Sequence, residues 1–164
     1  TVKETDTLID VLQALDSARK SEAEHAHRDA IVVDDTGEFA GKVTMIDIFR
    51  ALEPNYRKVD EKKSMGALTQ LFVERAVKDF NLWMEPMQDV CSRGAKKIVS
   101  AAMHVPGDTD YIRGEDSIEL ALHKYVMGVH QPLIVKEGDA VTGVLRFGDV
   151  FEVTRKAMLN CPIP

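Results

Sequence analysis

The chain has 164 residues, of which 45% are hydrophobic and 29% are charged, with few Gly and Pro. This composition is typical of a soluble globular protein large enough to bury a core, and it excludes disordered, collagen-like and coiled-coil chains. The formal net charge of −6 gives no overall basic surface for nucleic acid or an anionic membrane. No apolar run approaches the roughly 20 residues that a bilayer span requires.

The first ten residues and the two cysteines bear on the cellular compartment. Residues 1–10 have neither the charged start nor the apolar centre of a signal peptide. Cys91 and Cys161 form no motif and indicate no disulfide framework. We therefore expect a protein of the reducing cytoplasm.

A helix is the first element that the sequence predicts. Apolar residues recur at helical spacing from Leu8 to Leu15, behind a capping residue at Asp6 or Thr7. A charged stretch at residues 17–29 follows and contains His25 and His27.

The two histidines allow two interpretations. With the neighbouring Glu22 and Glu24 they resemble part of a Zn²⁺ or Ni²⁺ site. However, no third ligand at a fixed spacing is visible, and residues two apart on a helix do not face each other. We expect a solvated helix end and loop here, and no metal site.

A hairpin comes next in the chain. Ile31–Val33 is short, apolar and β-branched, as in a strand covered on both faces. The turn at residues 34–37 ends in Gly37, which can take the positive φ of a tight turn, and residues 39–44 supply the partner strand. A helix then begins near Ile48 and is stopped by Pro54.

The middle of the chain has a different character. The polar stretch at residues 56–64 predicts a linker, and residues 68–80 and 87–91 predict two helices. Residues 65–95 could form a ligand lid or a partner surface, but two helices packing an apolar face onto a core is the commoner arrangement, with Trp83 as an anchor.

The second half repeats the order of the first. A short strand at residues 110–112 precedes a helix at 116–125, a hairpin at 133–145 and a final helix at 150–159. Gly41 and Asp47 align without gaps with Gly143 and Asp149, because 143 − 41 and 149 − 47 both equal 102. A repeat with a constant offset indicates one structural unit used twice.

These two blocks resemble the cystathionine-β-synthase (CBS) domain, in the tandem arrangement called a Bateman module. The shared marks are an apolar strand, an acidic or Gly turn, and then Gly, two residues that are both hydrophobic in the second copy and Lys42 and Val43 in the first, three variable residues, Asp, a hydrophobic residue and Phe. The segment at residues 98–103, which ends in Met, is similar to the one that introduces a CBS repeat. The resemblance implies an α+β fold with two β-α-β-β-α repeats related by pseudo-two-fold symmetry, plus a helical insertion. We expect repeats at residues 1–57 and 97–160 around an insertion and linker at 58–96, in one compact module.

The resemblance also implies a function. Such modules are non-catalytic sensors that bind adenosine-containing ligands of the AMP, ADP or ATP class in clefts between the repeats and signal occupancy to a partner. The adenine nucleotide is then a regulatory ligand, and no cofactor is required. We expect a homodimer formed through the CBS helices, an unidentified regulated protein, and no nucleic-acid or membrane partner.

Nine residues are candidates for nucleotide binding by this resemblance. Thr44 and Asp47 match the family's Thr-x-x-Asp motif, in which Asp accepts hydrogen bonds from ribose hydroxyls and Thr approaches phosphate. A carboxylate can accept two hydroxyls at once, which makes this role chemically plausible. In the second copy Arg146 replaces the Thr and Asp149 is kept, so Arg would hold a phosphate by paired hydrogen bonds. The purine would lie near the start of each hairpin, at Asp29, Ala30, His130, Gln131 and Pro132.

Alternatives remain open for the site and for the function. Asp at a helix start is also a favoured cap, so Asp47 and Asp149 could recur for structural reasons alone. A ligand-free dimerisation or docking module, with the insertion as its partner surface, is the alternative function. An enzyme ranks third, because no nucleophile, base and orienting group occur together in one motif.

Overall fold

The predicted repeat is present as two structural units. The computed structural model describes residues 1–21, 28–62 and 69–160. Contacts divide the chain into Thr1–His104 and Val105–Pro164. We call these the first and second units.

The first unit contains a three-stranded sheet in the order β1-β2-β3. Strand β1 runs parallel to β2, and β2 and β3 form the predicted antiparallel hairpin. Gly37 in its turn has φ of 88°, as the turn requires. The elements of this part are β1 (Val2–Lys3), α1 (Leu8–Ser21), β2 (Asp29–Val33), β3 (Phe39–Thr44) and α2 (Met45–Leu52).

The core of the first unit forms where α1 and α2 pack on this sheet. Its strand residues are β-branched or small, and its helix residues recur at helical spacing, as the sequence pattern predicted. The buried members are Val2, Leu8, Val11, Ala30, Val32, Val43, Ile48, Ala51 and Val99.

The predicted insertion is helical, and its first part corrects the sequence analysis. It contains α3 (Tyr56–Lys62), α4 (Gln70–Asp79) and α5 (Met87–Gly94). The stretch expected as a linker is therefore a helix over most of its length. Tyr56 and Val59, three residues apart, provide its apolar side, and they pack in a small core with Ala76 and Leu82. This core and Trp83 beside it match the expectation of helices that bury an apolar face.

The segment after the insertion belongs to the first unit by its contacts. Thr7 and Ile98 form an antiparallel bridge, and so do Lys42 and His104. Val99 donates to the Asp6 carbonyl at 2.8 Å and is itself fully buried in the core. Residues 97–104 were expected to open the second repeat, yet these contacts are made with the first unit.

The second unit repeats the same order of elements. Its sheet has the order β4-β5-β6, with a parallel pair and an antiparallel hairpin. The elements are β4 (Tyr111–Arg113), α6 (Ile118–Val126), β5 (Leu133–Glu137), β6 (Ala140–Leu145) and α7 (Phe147–Leu159). The buried core residues are Ile112, Ala121, Tyr125, Leu133 and Val150.

Both units therefore have the β-α-β-β-α order, and the predicted α+β fold class with a helical insertion is confirmed. Among the residues described, no helix is both long and apolar enough to cross a membrane.

Candidate functional site

The first candidate site lies where the hairpin of the first unit ends and α2 begins. Asp29 at the start of β2 is the register partner of Thr44 at the end of β3. Thr44 has the extended backbone of a helix cap, with ψ of 170°, and α2 starts at the next residue. The hairpin thus brings two of the predicted residues together with the start of α2, where Asp47 lies.

Asp47 caps α2 through a reciprocal contact with Thr44. Its Oδ2 accepts from the Thr44 backbone N–H at 2.8 Å and from the Thr44 hydroxyl at 2.7 Å. The Asp47 N–H in turn donates to Thr44 Oγ1 at 3.3 Å. Both residues are only 7% exposed. A carboxylate has about four acceptor sites, so capping is compatible with contact to a ligand.

A cleft of about 500 Å³ opens beside Asp47 within the first unit. One wall is α2, a second is α3 of the insertion, and the third is the segment that ends at His104. This volume is in the range of small-molecule sites. The lining residues are Asp47, Arg50, Ala51, Pro54, Tyr56, Arg57, Asp60, Lys97, Ala101, Ala102, Met103 and His104.

Three cationic side chains line this cleft, Arg50, Arg57 and Lys97. Lys97 Nζ donates to the Ala51 carbonyl at 2.5 Å, which places its charge at the carboxyl end of α2. Burial, and then the positive charges of Arg57 and Arg93, lower the pKa of Lys97. Cations that repel one another in a cleft create a positive potential that favours a bound anion.

The cleft lining contains two carboxylates, Asp47 and Asp60, against its three cations. Asp60 lies 3.7 Å from Arg50, and both side chains are about half exposed. Such a long, solvated ion pair is worth at most about 1 kcal/mol, so either partner can turn towards a ligand.

Two further predicted residues of the first unit, Ala30 and Asp29, are absent from the cleft lining. Ala30 is buried in the core with Val32 and Val43, so its side chain serves packing. Asp29 is half-buried at the edge of the hairpin. Asp47 is thus the predicted residue that the cleft lining includes.

The corresponding position in the second unit is more open. Arg146 caps α7, and its Nε lies 3.1 Å from Asp149 Oδ2. The Asp149 side chain is 46% exposed. The arginine thus takes the place of Thr44 as a side-chain donor to the helix-start carboxylate, in a solvated position where Asp47 is buried.

The predicted base site of the second unit also lies beside this helix start. Leu133 and Leu145 are register partners, so His130–Pro132 and Arg146 occupy the same end of the hairpin. The Tyr125 hydroxyl ties this end together, since it accepts from the Leu133 N–H at 3.1 Å and donates to the Leu145 carbonyl. Pro132 is fully buried, whereas Gln131 is exposed.

Another cavity of the second unit lies elsewhere. It measures about 290 Å³ and is lined by residues of the β4 end and of the hairpin turn around Gly138. The turn is the opposite end of the hairpin from Arg146. None of the predicted nucleotide-binding residues lines it.

The sequence analysis did not identify the cations of the first cleft. Arg50 lies one helical turn after Asp47, on the same helix face, and this spacing was a usable signal. Arg57 was expected at the boundary between the first repeat and a polar linker, and Lys97 at the start of the second repeat, so neither could be placed beside Asp47 from local pattern. His25, His27 and Cys161 lie outside the described residues.

Comparisons with known proteins agree with this architecture. The CBS domain family model matches residues 1–54. No curated protein matches the chain. A CBS-domain-containing protein of Agrobacterium tumefaciens is similar in structure, with a TM-score of 0.60 and 14% identity over 94% of this chain and 82% of the other.

Two structures of the protein CBSX2 are also similar. The CBS-pair protein CBSX2 from Arabidopsis thaliana gives a TM-score of 0.57 and 17% identity, covering 98% of this chain and 89% of the other. CBSX2 in complex with AMP gives 0.55 and 17%, covering 96% and 88%. At these identities the likeness shows the fold. The family model thus places a CBS domain at residues 1–54, and the fold of the chain is similar to that of proteins with a pair of CBS domains.

Proposed function

We propose that the chain is a non-catalytic regulatory module that binds an adenine nucleotide in the cleft of the first unit. The observation that supports it most is the combination, in one cleft of about 500 Å³, of the carboxylate of Asp47 with three cations. A nucleotide carries vicinal hydroxyls at one point and a chain of anionic groups at another. The similar CBSX2 was solved in complex with AMP, which agrees with this ligand class.

The ribose is proposed to bind at Asp47. Its carboxylate is held rigidly by the Thr44 cap, so little side-chain entropy is lost when a ligand binds. Hydrogen bonds from hydroxyls to a charged acceptor are worth about 1.5–3 kcal/mol each. Capping alone remains the alternative role for this residue.

The phosphates are proposed to extend from Asp47 along α2. Arg50 is three residues further on, which is roughly 4.5 Å along the axis at 1.5 Å per residue. Lys97 reaches the Ala51 carbonyl, one residue further again. A ribose at Asp47 therefore allows its phosphate to be neutralised by Arg50 and Lys97.

The purine has two candidate surfaces in the first unit. Ala101, Ala102 and Met103 give one wall of the cleft an apolar surface, and the Tyr56 ring lies on the wall formed by α3. A flat purine can stack on an aromatic face or a thioether. The hairpin start at Asp29 and Ala30 remains a prediction for the base, and so does contact of Thr44 with phosphate.

The second unit offers a different arrangement. Arg146 and Asp149 form a solvated ion pair of modest strength, so Arg146 can turn to a phosphate at small cost. His130, Gln131 and Pro132 stay predictions for its base site. We expect this position to bind nucleotide more weakly, since its carboxylate is less buried and less firmly held.

A thermal-shift panel of AMP, ADP, ATP, NAD and S-adenosylmethionine tests the proposal. A ligand present at 100 times its Kd stabilises the folded state by about 2.7 kcal/mol. We expect at least one adenine nucleotide to raise the melting temperature, and Asp47→Ala to weaken that nucleotide by roughly 10- to 100-fold. Absence of a shift with any of them at millimolar concentration would refute nucleotide sensing.

The alternative is a ligand-free module for dimerisation or docking. It is favoured by the apolar side chains that α2 exposes, Ile46 at 56% and Phe49 at 50%, and by Phe147 and Phe151 on α7. Apolar patches of this kind mark interaction surfaces. A homodimer through these helices, with occupancy signalled to a regulated protein in the cytoplasm, is compatible with nucleotide binding. Sedimentation of the wild type and of Phe49→Asp would show whether α2 forms that interface.

A further inference from the structure

The helical insertion contributes both to the cleft of the first unit and to a small hydrophobic core of its own. Tyr56, Arg57 and Asp60 of α3 line the cleft of the first unit. Val59, on the same short helix, is buried in the small core that holds the insertion together with Ala76 and Leu82. A ligand that moves α3 would therefore also displace α4 and the segment that follows it.

Partly buried hydrogen bonds fix α3 in its place. Glu53 lies at the junction of α2 and α3 and is 8% exposed. Its carboxylate accepts from the Asn55 N–H at 3.1 Å and from the Trp83 N–H at 2.8 Å. The Trp83 indole N–H donates to the Tyr56 hydroxyl at 3.0 Å, and the two rings meet edge to face with centroids 6.3 Å apart.

Trp83 has a backbone conformation that depends on these contacts. Its φ is 55°, in the left-handed region that bulky residues rarely adopt. Such a conformation is kept where the surroundings determine it. Glu53 and Tyr56 provide that determination, and Tyr56 is also a wall of the cleft.

The positive charge of Arg57 on α3 can interact with the phosphates of a ligand in the cleft. Arg57 and Lys97 line the same cleft, and both carry positive charge. Lys97 itself lies at the carboxyl end of α2, away from Asp47. Helix α2 ends at Leu52 and α3 begins at Tyr56, so Arg57 follows the carboxyl end of α2, where Lys97 Nζ contacts Ala51. For a ribose at Asp47, near the amino end of α2, Arg50 and Lys97 are therefore the nearer cations, and a longer phosphate chain is needed to reach Arg57.

We propose that the insertion sets the nucleotide specificity of the cleft, with Arg57 on α3 favouring nucleoside di- and triphosphates over monophosphates. The proposal rests on the proposed function, because it assigns a specificity to the same cleft. Contact with Arg57 also links occupancy to Trp83, through Tyr56 of the same helix. Trp83 is the single Trp of the chain, so its fluorescence reports on the insertion without any label.

Calorimetric titration with ATP and with AMP tests this specificity on three chains. Arg57→Gln removes the charge, and Lys58→Gln removes a neighbouring exposed charge of α3 that is outside the cleft lining. We expect Arg57→Gln to lower ATP affinity by roughly 10-fold or more and AMP affinity by less than about 3-fold. Lys58→Gln should leave both within about 2-fold, and Arg57→Lys should restore part of the preference for ATP.

The fluorescence of Trp83 provides the second readout. ATP should change its emission in the wild type, with a midpoint equal to the calorimetric Kd, and AMP should change it less. If the wild type binds ATP but Arg57→Gln weakens ATP and AMP equally, or neither, the specificity proposal is overturned while the proposed function stands. If neither nucleotide binds the wild type, the proposed function is overturned, and this proposal with it.

Discussion

A glycine in the first unit and its counterpart in the second give the sharpest mutational contrast. Gly41 and Gly143 occupy the same position of the repeat, 102 residues apart. A Cβ built on Gly41 would lie 2.8 Å from the His104 carbonyl oxygen and 3.1 Å from the Met103 sulfur. A Cβ on Gly143 would meet nothing within 4 Å. The substitution of each by Ala should therefore have opposite signs.

The expected change in the free energy of unfolding depends on which atoms must move to make room for the added Cβ. The His104 carbonyl is backbone, and two hydrogen bonds to Lys42, of 3.1 and 2.8 Å, hold it against β3. A shift of this backbone is an overpacking change that costs about 1–3 kcal/mol. Replacement of Gly by Ala gains about 0.4–1 kcal/mol where the native conformation is compatible, because the unfolded chain loses freedom. We expect Gly41→Ala to lower the free energy of unfolding by about 1–2 kcal/mol and Gly143→Ala to raise it slightly.

Urea unfolding with two probes measures both effects. Trp83 emission follows the first unit, and far-UV circular dichroism follows the whole chain. Gly41→Ala should move the Trp83 transition to lower urea, whereas Gly143→Ala should leave that transition unchanged or raise the midpoint seen by dichroism. A Gly41→Ala chain as stable as the wild type would refute the close packing of residues 103–104 on β3.

Three further results are expected from particular side chains. Asp47→Ala removes a buried acceptor of two Thr44 hydrogen bonds and should cost about 2 kcal/mol of unfolding free energy. Asp149 is exposed, so Asp149→Ala should cost only roughly 0.5 kcal/mol. Equal costs in urea titrations would contradict the difference between the two helix starts. Tyr125→Phe leaves the Leu133 N–H without its acceptor and should cost about 1–3 kcal/mol, so an unchanged urea midpoint would exclude a role for this hydroxyl in holding the hairpin end. The pKa of Lys97 is lowered below 10.5, so ATP affinity should fall as the pH rises through that pKa, because the cation that faces the phosphate is lost. In calorimetric titrations between about pH 7 and 10, Lys97→Arg should flatten this dependence of ATP affinity on pH. A wild-type ATP affinity that does not change with pH would argue against phosphate at this position.

The same lysine has an effect on stability with a defined sign. Its folded pKa is lowered, so the unfolded chain holds the proton more strongly between the folded pKa and 10.5. In that window the contribution of Lys97 to stability rises with pH. A bound phosphate opposes this effect, because it favours the charged amine.

The sequence predicted those parts of the fold that depend on local pattern. Gly41 and Gly143 in the hairpins and the helix starts at Asp47 and Asp149 recur at one offset, and the turn glycines Gly37 and Gly138 differ from it by one residue. Each of these features follows from periodicity and turn chemistry over a few residues. The structure confirmed the element order in both units. The way in which these elements assemble was predicted from the resemblance to the CBS domain, and not from local pattern.

The errors of the sequence analysis lie where contacts between distant segments decide the structure. The polar stretch 56–64 has few apolar residues, and the part of it that is helical is stabilised by the burial of Val59 against α4, which lies beyond the reach of a local pattern. Residues 97–104 are held to the first unit by backbone hydrogen bonds. Every residue type except proline can form such bonds, so the amino-acid sequence does not reveal them. The cleft and its cations depend on both segments, so Arg57 and Lys97 could not be placed beside Asp47 in advance.

The two halves of the repeat differ in the way the sequence indicated. Replacement of Thr44 by Arg146 changes a compact, buried cap into a solvated ion pair. The insertion then adds charge and an aromatic wall to the first unit alone, since it follows α2 directly. We therefore expect the first unit to dominate nucleotide binding.

A crystal structure of the chain grown with ATP tests the central claim most directly. We predict electron density for the nucleotide in the cleft of the first unit, with the ribose hydroxyls on Asp47 and the phosphates among Arg50, Arg57 and Lys97. A nucleotide bound elsewhere, or crystals grown at saturating ATP whose cleft holds no nucleotide, would contradict it.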